Sequence, residues 1–255
     1  MGKAIVREQE RQRPSQDFLS ARGIRKRFGA LVVLENLDFS MGDGDAIGIV
    51  GPNGAGKTTL LSALAGAFPL SAGTIIFDGR NVTTLTAADR CRSGLVRTHQ
   101  IPKPFSGMTT FENVFVAASH GKASSRDEAY ERVIDSLRLC GMLGVANRRA
   151  DTLGLLDRKR LELARALATG PRLLLLDEIG GGLTDGEASE LVGTILELRR
   201  RGIGIVWIEH IVHILVQVVE RLICMDAGKI IADGDPKAVM SDTEVVRAYL
   251  GGTPA

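Results

Sequence analysis

The segment GPNGAGKTT at positions 51–59 constrains the fold and chemistry of this chain more than any other. It matches the pattern G-x-x-x-x-G-K-[ST] and lies between a predicted buried strand at 46–50 and a helix predicted to begin near Lys57. Glycines there let the backbone curl until successive N–H groups and the helix dipole point at phosphate oxygens. The segment therefore predicts a nucleoside-triphosphate site. The alternative is an ordinary glycine turn opening a helix, which the match at every fixed position disfavours.

Two side chains of this segment are expected to act on the nucleotide directly. Lys57 would reach the terminal phosphates, and the Thr58 hydroxyl would ligate Mg²⁺. The full set of predicted phosphate-binding residues is Gly51, Pro52, Asn53, Gly54, Ala55, Gly56, Lys57, Thr58 and Thr59. The motif by itself does not distinguish kinases, GTPases, helicases and transporters.

A second segment, RLLLLDE at 172–178, is predicted to supply the acidic residues of the same site. Its four leucines predict a buried strand over 173–176, whose carboxyl end delivers Asp177 beside the phosphates. We expect Asp177 to hold Mg²⁺ and Glu178 to polarise the attacking water. A core strand that happens to end in two acidic residues is the alternative. An acidic residue directly after the metal-binding aspartate favours hydrolysis over phosphoryl transfer to a second substrate.

Two further polar residues, Gln100 and His210, also follow predicted strands. Gln100 comes after the strand-like GLVRTH, and His210 directly follows the strand predicted at 203–209. The His210 side chain would therefore emerge at the same sheet edge as Asp177. Either residue in isolation is more often solvated or hydrogen-bonded locally. His210 and His213 also form an H-x-x-H pair. Since no H-E-x-x-H pattern accompanies it and His213 lies among Ile and Val, helix packing is preferred over a metal site.

The pattern along the chain indicates an α/β fold. Apolar runs bounded by glycine alternate with helical patterns, which predicts βαβ units around a mostly parallel sheet. Two strand-like stretches on either side of Phe28 and Gly29 predict an antiparallel β edge subdomain. The middle of the chain has helical periodicity and few strand signals, so it predicts a helical insertion. The expected core is that of a P-loop NTPase of the RecA type.

These patterns also predict how the chain is divided. Residues 17–255 are expected to form a single ATPase domain, with its core at 17–100 and 169–255 and a helical subdomain at 101–168. Residues 1–16 are charged and lack the apolar segment of a signal peptide, so they are interpreted as a flexible N-terminal lead-in.

Composition narrows the possible classes of function. The 255 residues include 32 Lys and Arg against 30 Asp and Glu, a net charge of +2, and the scattered charges do not predict a nucleic-acid partner. The three cysteines fit neither a disulfide framework nor a zinc pattern and suit a reducing cytosol. The most apolar stretch, 203–219, is interrupted by Glu209, His210 and His213, and no segment approaches the ~20 apolar residues needed to cross a bilayer. Any membrane role is therefore expected to run through a partner protein.

Taken in order, these features resemble one family over nearly the whole chain from Phe18 onward. The family is that of the ATPase subunits of ABC transporters, and the matching features are Phe28, GPNGAGKTT, Gln100, RKRLELARALA, LLLLDE and WIEH. The resemblance implies that the nucleotide is ATP and that Phe28 stacks on its adenine. It also implies that Gln100 contacts Mg²⁺ and the γ-phosphate while responding to the membrane partner. His210 would then be the switch histidine that contacts the γ-phosphate.

The resemblance further implies an assembly of two ATPase subunits, either identical or paralogous. In the family, the signature loop of one subunit caps the ATP bound by the other, so two chains clasp two ATP molecules head to tail. The signature residues here would be Gly154, Leu155, Leu156 and Asp157, within LGLLD at 153–157.

The segment RTHQIPKPFSGMTTFENVFVA and the tail GKIIADGDPKAVMSDTEVVRAYLG resemble the longer of the two types of branched-chain amino-acid uptake ATPase. The likeness implies integral membrane permease subunits as partners, fed by an extracytoplasmic solute-binding protein. It places the chain as a peripheral protein on the cytoplasmic face of the membrane. Substrate class depends on this likeness alone, because no residue of such a subunit touches the cargo.

Three departures from the family pattern stand out. The usual LSGGQ signature is LGLLD, so Gly154 replaces the serine, leucines replace both glycines, and Asp157 replaces the glutamine. Ile179 stands where proline usually follows the catalytic glutamate. Thr184 occupies the usual aspartate of the D-loop, with Asp185 one residue later. Because the following RKRLELARALA is intact, a shifted alignment is disfavoured.

Two other classes of function remain open from the sequence. A soluble ABC ATPase would act on proteins or nucleic acid, and the single cassette, the balanced charge and the lack of a coiled-coil arm argue against it. A nucleotide-binding regulator that no longer hydrolyses ATP is suggested by the altered signature, whereas the intact Glu178 and His210 argue against that.

Overall fold

The structure, a computed structural model, describes residues 17–123 and 125–250, the last of these by its backbone alone. The predicted lead-in at 1–16 lies outside the described residues. The strands are β1 (Leu19–Phe28), β2 (Leu31–Met41), β3 (Ala46–Val50), β4 (Ala72–Phe77), β5 (Arg80–Asn81), β6 (Leu95–Arg97), β7 (Leu173–Asp177), β8 (Gly204–Ile208), β9 (Arg221–Asp226) and β10 (Lys229–Gly234). The helices are α1 (Lys57–Leu64), α2 (Ala87–Ser93), α3 (Thr110–His120), α4 (Arg126–Leu139), α5 (Leu155–Ala168), α6 (Asp185–Arg200), α7 (Val212–Leu215), α8 (Pro236–Met240) and α9 (Thr243–Leu250).

The main sheet has six strands in the order β10-β9-β3-β8-β7-β6. All of its neighbouring pairs are parallel except β9 and β10. The three buried strands predicted from the sequence are β3, β7 and β8, and they are neighbours at the centre of this sheet. The predicted α/β fold with a mostly parallel sheet is therefore confirmed.

The main sheet is covered on both faces, which explains why its central strands are apolar without alternation. Alternate residues of β7 enter different clusters: Leu174 and Leu176 pack with α5 and α6, whereas Leu173 and Leu175 pack with α1 and the second sheet. Trp207 of β8, fully buried, belongs to the first of these clusters. Packing on both faces thus fixes the positions of β3, β7 and β8, whose carboxyl ends lead to the predicted site residues.

The second sheet is antiparallel, in the order β2-β1-β4-β5. Strands β1 and β2 pair from Leu19 opposite Met41 to Phe28 opposite Leu31, with a two-residue turn containing Gly29. This is the antiparallel β subdomain expected around Phe28. The sequence analysis did not predict β4 and β5, which follow α1 in the sequence and add two strands to this sheet.

Helices α3, α4 and α5 pack against one another and form the predicted helical insertion. Helix α3 begins with a capping box, in which the Thr109 side chain accepts from the Glu112 N–H and the Glu112 carboxylate accepts from the Thr109 N–H. The Ser125 hydroxyl caps α4 in a similar way. Across residues 17–123 and 125–250, none of the helices has the length and apolar character needed to span a bilayer.

The C-terminal part of the chain adds a hairpin and two short helices that the sequence analysis did not resolve. Strands β9 and β10 are joined through Ala227 and Gly228, whose φ angles are 44° and 77°. Positive φ at both central residues is characteristic of the hairpin turn that matches strand twist. The hairpin makes β10 the antiparallel edge of an otherwise parallel sheet.

A buried arginine ties α2 to the end of the P-loop helix. Arg90, 1% exposed, donates to the carbonyls of Ala63 (2.8 Å) and Leu64 (2.7 Å) in the last turn of α1, and to those of Thr83 and Leu85. Burial lowers its pKa to about 10. The guanidinium therefore satisfies helix-terminal carbonyls that have no partner within the helix.

We expect Arg90→Met to lower the free energy of unfolding by roughly 3 kcal/mol, because it removes buried and part-buried hydrogen bonds to four carbonyls. For a domain of this size the midpoint of thermal unfolding should fall by about 6–12 °C. Arg92→Met is the matched control, since Arg92 is exposed and, within the described part of the chain, forms an ion pair with Asp89 alone. Equal midpoints for the two variants would contradict this role for Arg90.

Candidate functional site

The P-loop leaves the main sheet at a position that only glycine can occupy. At Gly51, directly after β3, φ is 142°, and a Cβ there would lie 2.1 Å from the carbonyl oxygen of Met225. The chain then curls through the loop, and α1 begins at Lys57. The predicted strand–loop–helix context of the motif is therefore present.

Lys57 is buried beneath its own loop. Its Nζ donates to the carbonyls of Gly51 (2.7 Å) and Pro52 (3.0 Å). Burial lowers the pKa of Lys57, and the negative charges of Glu178 and Asp177 oppose that shift. The ammonium group is thus held at the base of the loop, where a bound phosphate would meet it.

Thr58 and Asp177, both predicted to hold Mg²⁺, lie side by side. The Thr58 hydroxyl donates to Asp177 Oδ1 at 3.3 Å, and the Asp177 side chain is almost fully buried. Hydroxyl and carboxylate oxygens are the ligands that Mg²⁺ prefers, so these residues fit that ion. Asp177 Oδ2 accepts from Arg97 Nη2 at 2.7 Å, and Arg97 also donates to Ser62 Oγ.

The Glu178 carboxylate contacts the other two predicted catalytic residues, Gln100 and His210. Its Oε1 lies 2.9 Å from His210 Nε2, and its Oε2 accepts a short hydrogen bond from Gln100 Nε2. The side chains of His210 and Glu178 are 47% and 15% exposed, so the group borders solvent. The site can therefore present one carboxylate to a water molecule, flanked by an amide and an imidazole.

The backbone of Glu178 adopts an unusual conformation. Its φ angle is 49°, in the left-handed region, which costs a non-glycine residue about 1–3 kcal/mol. Its N–H donates to the Ile208 carbonyl at 2.9 Å, and its carbonyl accepts from Lys159 Nζ at 3.3 Å. The neighbouring elements β8 and α5 therefore hold this strained residue in place.

A second glutamate, Glu209, is buried next to this group. Burial raises its pKa, and hydrogen bonds from the Gly180 N–H and the Trp207 indole oppose the shift. Glu209 directly precedes His210, and Gly180 follows Glu178 by two residues. The carboxylate thus contacts the backbone of the catalytic segment rather than the site cavity.

The cavity above the P-loop has a volume of about 210 Å³. It is lined by Val33, Glu178 and residues 53–59. Phe28, predicted to stack on adenine, is not among the lining residues. It is 48% exposed, its ring meets the Phe68 ring edge-on, and Lys26 Nζ lies 4.7 Å from its centroid.

The predicted signature residues lie at the start of α5. Gly154 is the N-cap residue and Leu155 begins the helix, with Asp157 in its first turn. Within the described residues, no hydrogen bond joins 153–157 to the P-loop at 51–59. The single chain therefore does not bring the signature segment to its own phosphate site.

The departure at Thr184 has a local structural explanation. Thr184 is the N-cap of α6 and forms a capping box with Glu187. A threonine at this position supplies the side-chain oxygen that the first turn of a helix needs. Ile179, at the other departure, is buried in the cluster around α5 and α6.

One expectation from the sequence is wrong. His213, interpreted as packing within a helix, is exposed on α7. Packing there is done by its neighbours Ile214 and Leu215, because a helix of four residues buries only one face. Among the described residues no group of three or more His, Cys, Asp and Glu side chains could hold a metal ion, so the H-x-x-H pair is not part of such a cluster.

Sequence reasoning missed several residues that contact the site. These are Val33, Arg97, Lys159, Glu209 and Tyr249. Arg97 carried a usable signal, a charged side chain within the strand-like segment GLVRTH. Tyr249 of α9 carried none, although its hydroxyl accepts from the Gly51 N–H at 2.7 Å.

Comparison with known proteins agrees with this geometry. A family model described as ABC transporter matches residues 34–180, and one described as branched-chain amino acid ATP-binding cassette transporter matches residues 229–255. The chain is 34% identical over 252 residues to the high-affinity branched-chain amino acid transport ATP-binding protein LivG of Escherichia coli (strain K12). That alignment covers 93% of this chain and 99% of LivG.

Two further relatives complete the comparison. The lipopolysaccharide export system ATP-binding protein LptB of Haemophilus influenzae is 31% identical, with 92% of this chain and 97% of LptB covered. The ADP conformation of MJ1267, an ATP-binding cassette of an ABC transporter, superposes with a TM-score of 0.84 at 30% identity, covering 92% of this chain and 99% of that one. The chain therefore belongs to the ATP-binding subunits of the ABC transporter family, which are ATPases.

Proposed function

We propose that this chain hydrolyses ATP as the nucleotide-binding subunit of an ABC importer for branched-chain or other amino acids. The observation that carries the proposal is the meeting of Gln100 and His210 on the Glu178 carboxylate, beside the P-loop. The amino-acid cargo is supported by the similarity to LivG and by the family match at 229–255.

Each predicted residue has a role in the proposed reaction. Lys57 and the loop N–H groups bind the phosphates, and Glu178 polarises the water that attacks the terminal one. His210 contacts the γ-phosphate. Mg²⁺, when bound, would neutralise phosphate charge, and Thr58, Asp177 and Gln100 would hold it. Phe28, which is 48% exposed, would stack on adenine.

The proposal includes partners and a location. Two permease subunits in the membrane, a second ATPase subunit that is identical or paralogous, and an extracytoplasmic solute-binding protein acting through the permease would complete the transporter, with no nucleic acid involved. The chain would sit peripherally on the cytoplasmic face. Packing of α3, α4 and α5 as one group supports the division into a core at 17–100 and 169–255 and a helical subdomain at 101–168.

Hydrolysis is tested by separating nucleotide binding from turnover. Glu178→Gln should keep the ATP dissociation constant within about twofold of the wild-type value and lower turnover by roughly 10²–10⁴-fold, because the water loses its base. Lys57→Ala should weaken ATP binding by roughly 10- to 100-fold, since a charge-assisted phosphate contact is lost. Titration with a fluorescent ATP analogue and a phosphate-release assay measure the two quantities.

Glu131→Gln is a matched control, because Glu131 is exposed on α4 and does not line the cavity above the P-loop. Wild-type turnover in Glu178→Gln would contradict the assignment of the water-polarising residue. ATP binding without phosphate release in the unaltered chain, assembled with its partners, would instead favour a nucleotide-binding regulator.

The segment at 101–114 is expected to dock a cytoplasmic helix of the permease. Its apolar side chains Ile101 and Phe105 are 70% and 45% exposed, and Pro102 and Pro104 stiffen the loop between core and helical subdomain. A cysteine at Ile101 should crosslink to a permease helix in the assembled transporter. A cysteine at Leu31, which is 66% exposed on the antiparallel sheet, is the control. Equal crosslinking at both positions, or none at Ile101, would count against docking.

The altered signature is expected to weaken ATP-driven pairing of this chain with itself. A serine hydroxyl bonded to phosphate contributes roughly 1.5–3 kcal/mol, and a homodimer would lack two of them, about 3–6 kcal/mol in total. That corresponds to roughly a hundredfold to ten-thousandfold in the association constant. The isolated chain should therefore be mostly monomeric with slow turnover, and a partner with a fuller signature would supply one productive site.

Sedimentation of Glu178→Gln with ATP, alone and combined with Gly154→Ser, measures this effect. The added serine should shift the protein toward dimer. A tight ATP-dependent homodimer of Glu178→Gln without that serine would establish LGLLD as a competent cap.

A further inference from the structure

The backbone that follows Glu178 is held by the carboxylate of the residue directly after β8. Glu209, 1% exposed, accepts at Oε1 from the Gly180 N–H at 2.5 Å and from Trp207 Nε1 at 3.2 Å. A Cβ on residue 180 would lie 2.9 Å from that same oxygen, so glycine permits the close approach. The contact therefore depends on both residues, 29 positions apart.

A buried lysine holds the same segment from the other side. Lys159, 5% exposed in the second turn of α5, donates from Nζ to the Glu178 carbonyl at 3.3 Å. That carbonyl also accepts from the Gly181 N–H at 3.3 Å. Burial lowers the pKa of Lys159, and the negative charges of Glu209 and Glu178 oppose that shift. Glu209, directly after β8, and Lys159 of α5 thus both bond to one short stretch of backbone.

Such an arrangement is costly unless it performs a task. Taking a carboxylate and an ammonium out of water carries a desolvation penalty that apolar residues of similar size would avoid. The strand that precedes Glu209 is wholly apolar and fully buried over 205–208. An apolar residue at position 209 would suffice for packing. A carboxylate there also accepts from the Gly180 N–H and so fixes the backbone next to Glu178, whose φ is positive.

We propose that Glu209 and Lys159 are positioning residues for Glu178. Together they hold residues 178–180 in the conformation that aims the Glu178 carboxylate between Gln100 and His210. We call Glu209 and Lys159 together the clamp. Lys159 belongs to α5, whose start carries the signature residues, so the clamp also connects that helix to the catalytic glutamate. The inference rests on the role of Glu178 proposed above.

Four single variants of the full chain test the clamp. Glu209→Ala removes the acceptor for the Gly180 N–H, whereas Glu209→Gln keeps an oxygen acceptor and removes only the charge. Lys159→Met removes the donor to the Glu178 carbonyl. Leu198→Ala, a truncation in the core face of α6, is the control for lost stability alone.

Glu209→Ala and Lys159→Met should each lower turnover on the order of tenfold to a hundredfold, because a small displacement of a catalytic group has effects of that size. The ATP dissociation constant should stay within about twofold, since neither side chain lines the cavity. Glu209→Gln should recover most of the turnover. Backbone hydrogen exchange over 178–183 should become at least about tenfold faster in Glu209→Ala than in wild type. In Glu209→Gln it should stay slower than in Glu209→Ala.

Unchanged exchange at 178–183 in Glu209→Ala, or wild-type turnover in both Glu209→Ala and Lys159→Met, would overturn the clamp. So would a turnover loss in Leu198→Ala equal to theirs, because the effect would then be one of stability. Glu178→Gln separates this outcome from failure of the proposed function. If Glu178→Gln is inactive while the clamp variants turn over normally, only the clamp is wrong; if Glu178→Gln is active, the proposed role of Glu178 itself fails.

Discussion

Parallel register at the centre of the main sheet is the constraint on which the rest of the site depends. Residue Asp177 of β7 lies opposite Ile208 of β8, which in turn lies opposite Ile49 of β3. With all three strands pointing the same way, their carboxyl ends open onto one edge. The P-loop, the acidic pair and the histidine leave the sheet there. A slip of one residue in any strand would turn its terminal side chain to the opposite face.

That register is maintained by packing on both faces, and the packing explains how buried charge is tolerated at the sheet edge. Lys57, Arg97 and Asp177 are largely withdrawn from water, and each has a named partner: loop carbonyls for the lysine, and the Arg97–Asp177 ion pair for the other two. An unpaired charge at such depth would be strongly unfavourable. The groups proposed to bind phosphate and metal therefore already have partners in the chain, and these partners hold the charges in place.

The residues that sequence reasoning found share a property that the missed ones lack. Lys57, Asp177 and His210 are placed by local pattern, since each follows a strand or opens a helix that can be recognised within ten residues. Arg97 and Tyr249 act on partners 80 and 198 positions away, so local sequence does not reveal those partners even where, as at Arg97, a charged residue lies within a strand-like segment. The hairpin of β9 and β10 was missed for a different reason, because its turn uses Ala227 at positive φ where Asn or Gly would have marked it.

Helix α5 connects the predicted signature residues at its N-terminus to the backbone of Glu178. Its N-terminus, at Gly154, is where backbone N–H groups without helical partners and the positive end of the helix dipole would meet a phosphate on another subunit. Its second turn carries Lys159, bonded to the carbonyl of Glu178. Gly154 caps this 14-residue helix and Lys159 lies within it, so a phosphate bound at its N-terminus would lie within two helical turns of the lysine. If the signature residues cap a phosphate as proposed, the absence of the signature serine would weaken that contact, whereas the bond from Lys159 to the Glu178 carbonyl would remain.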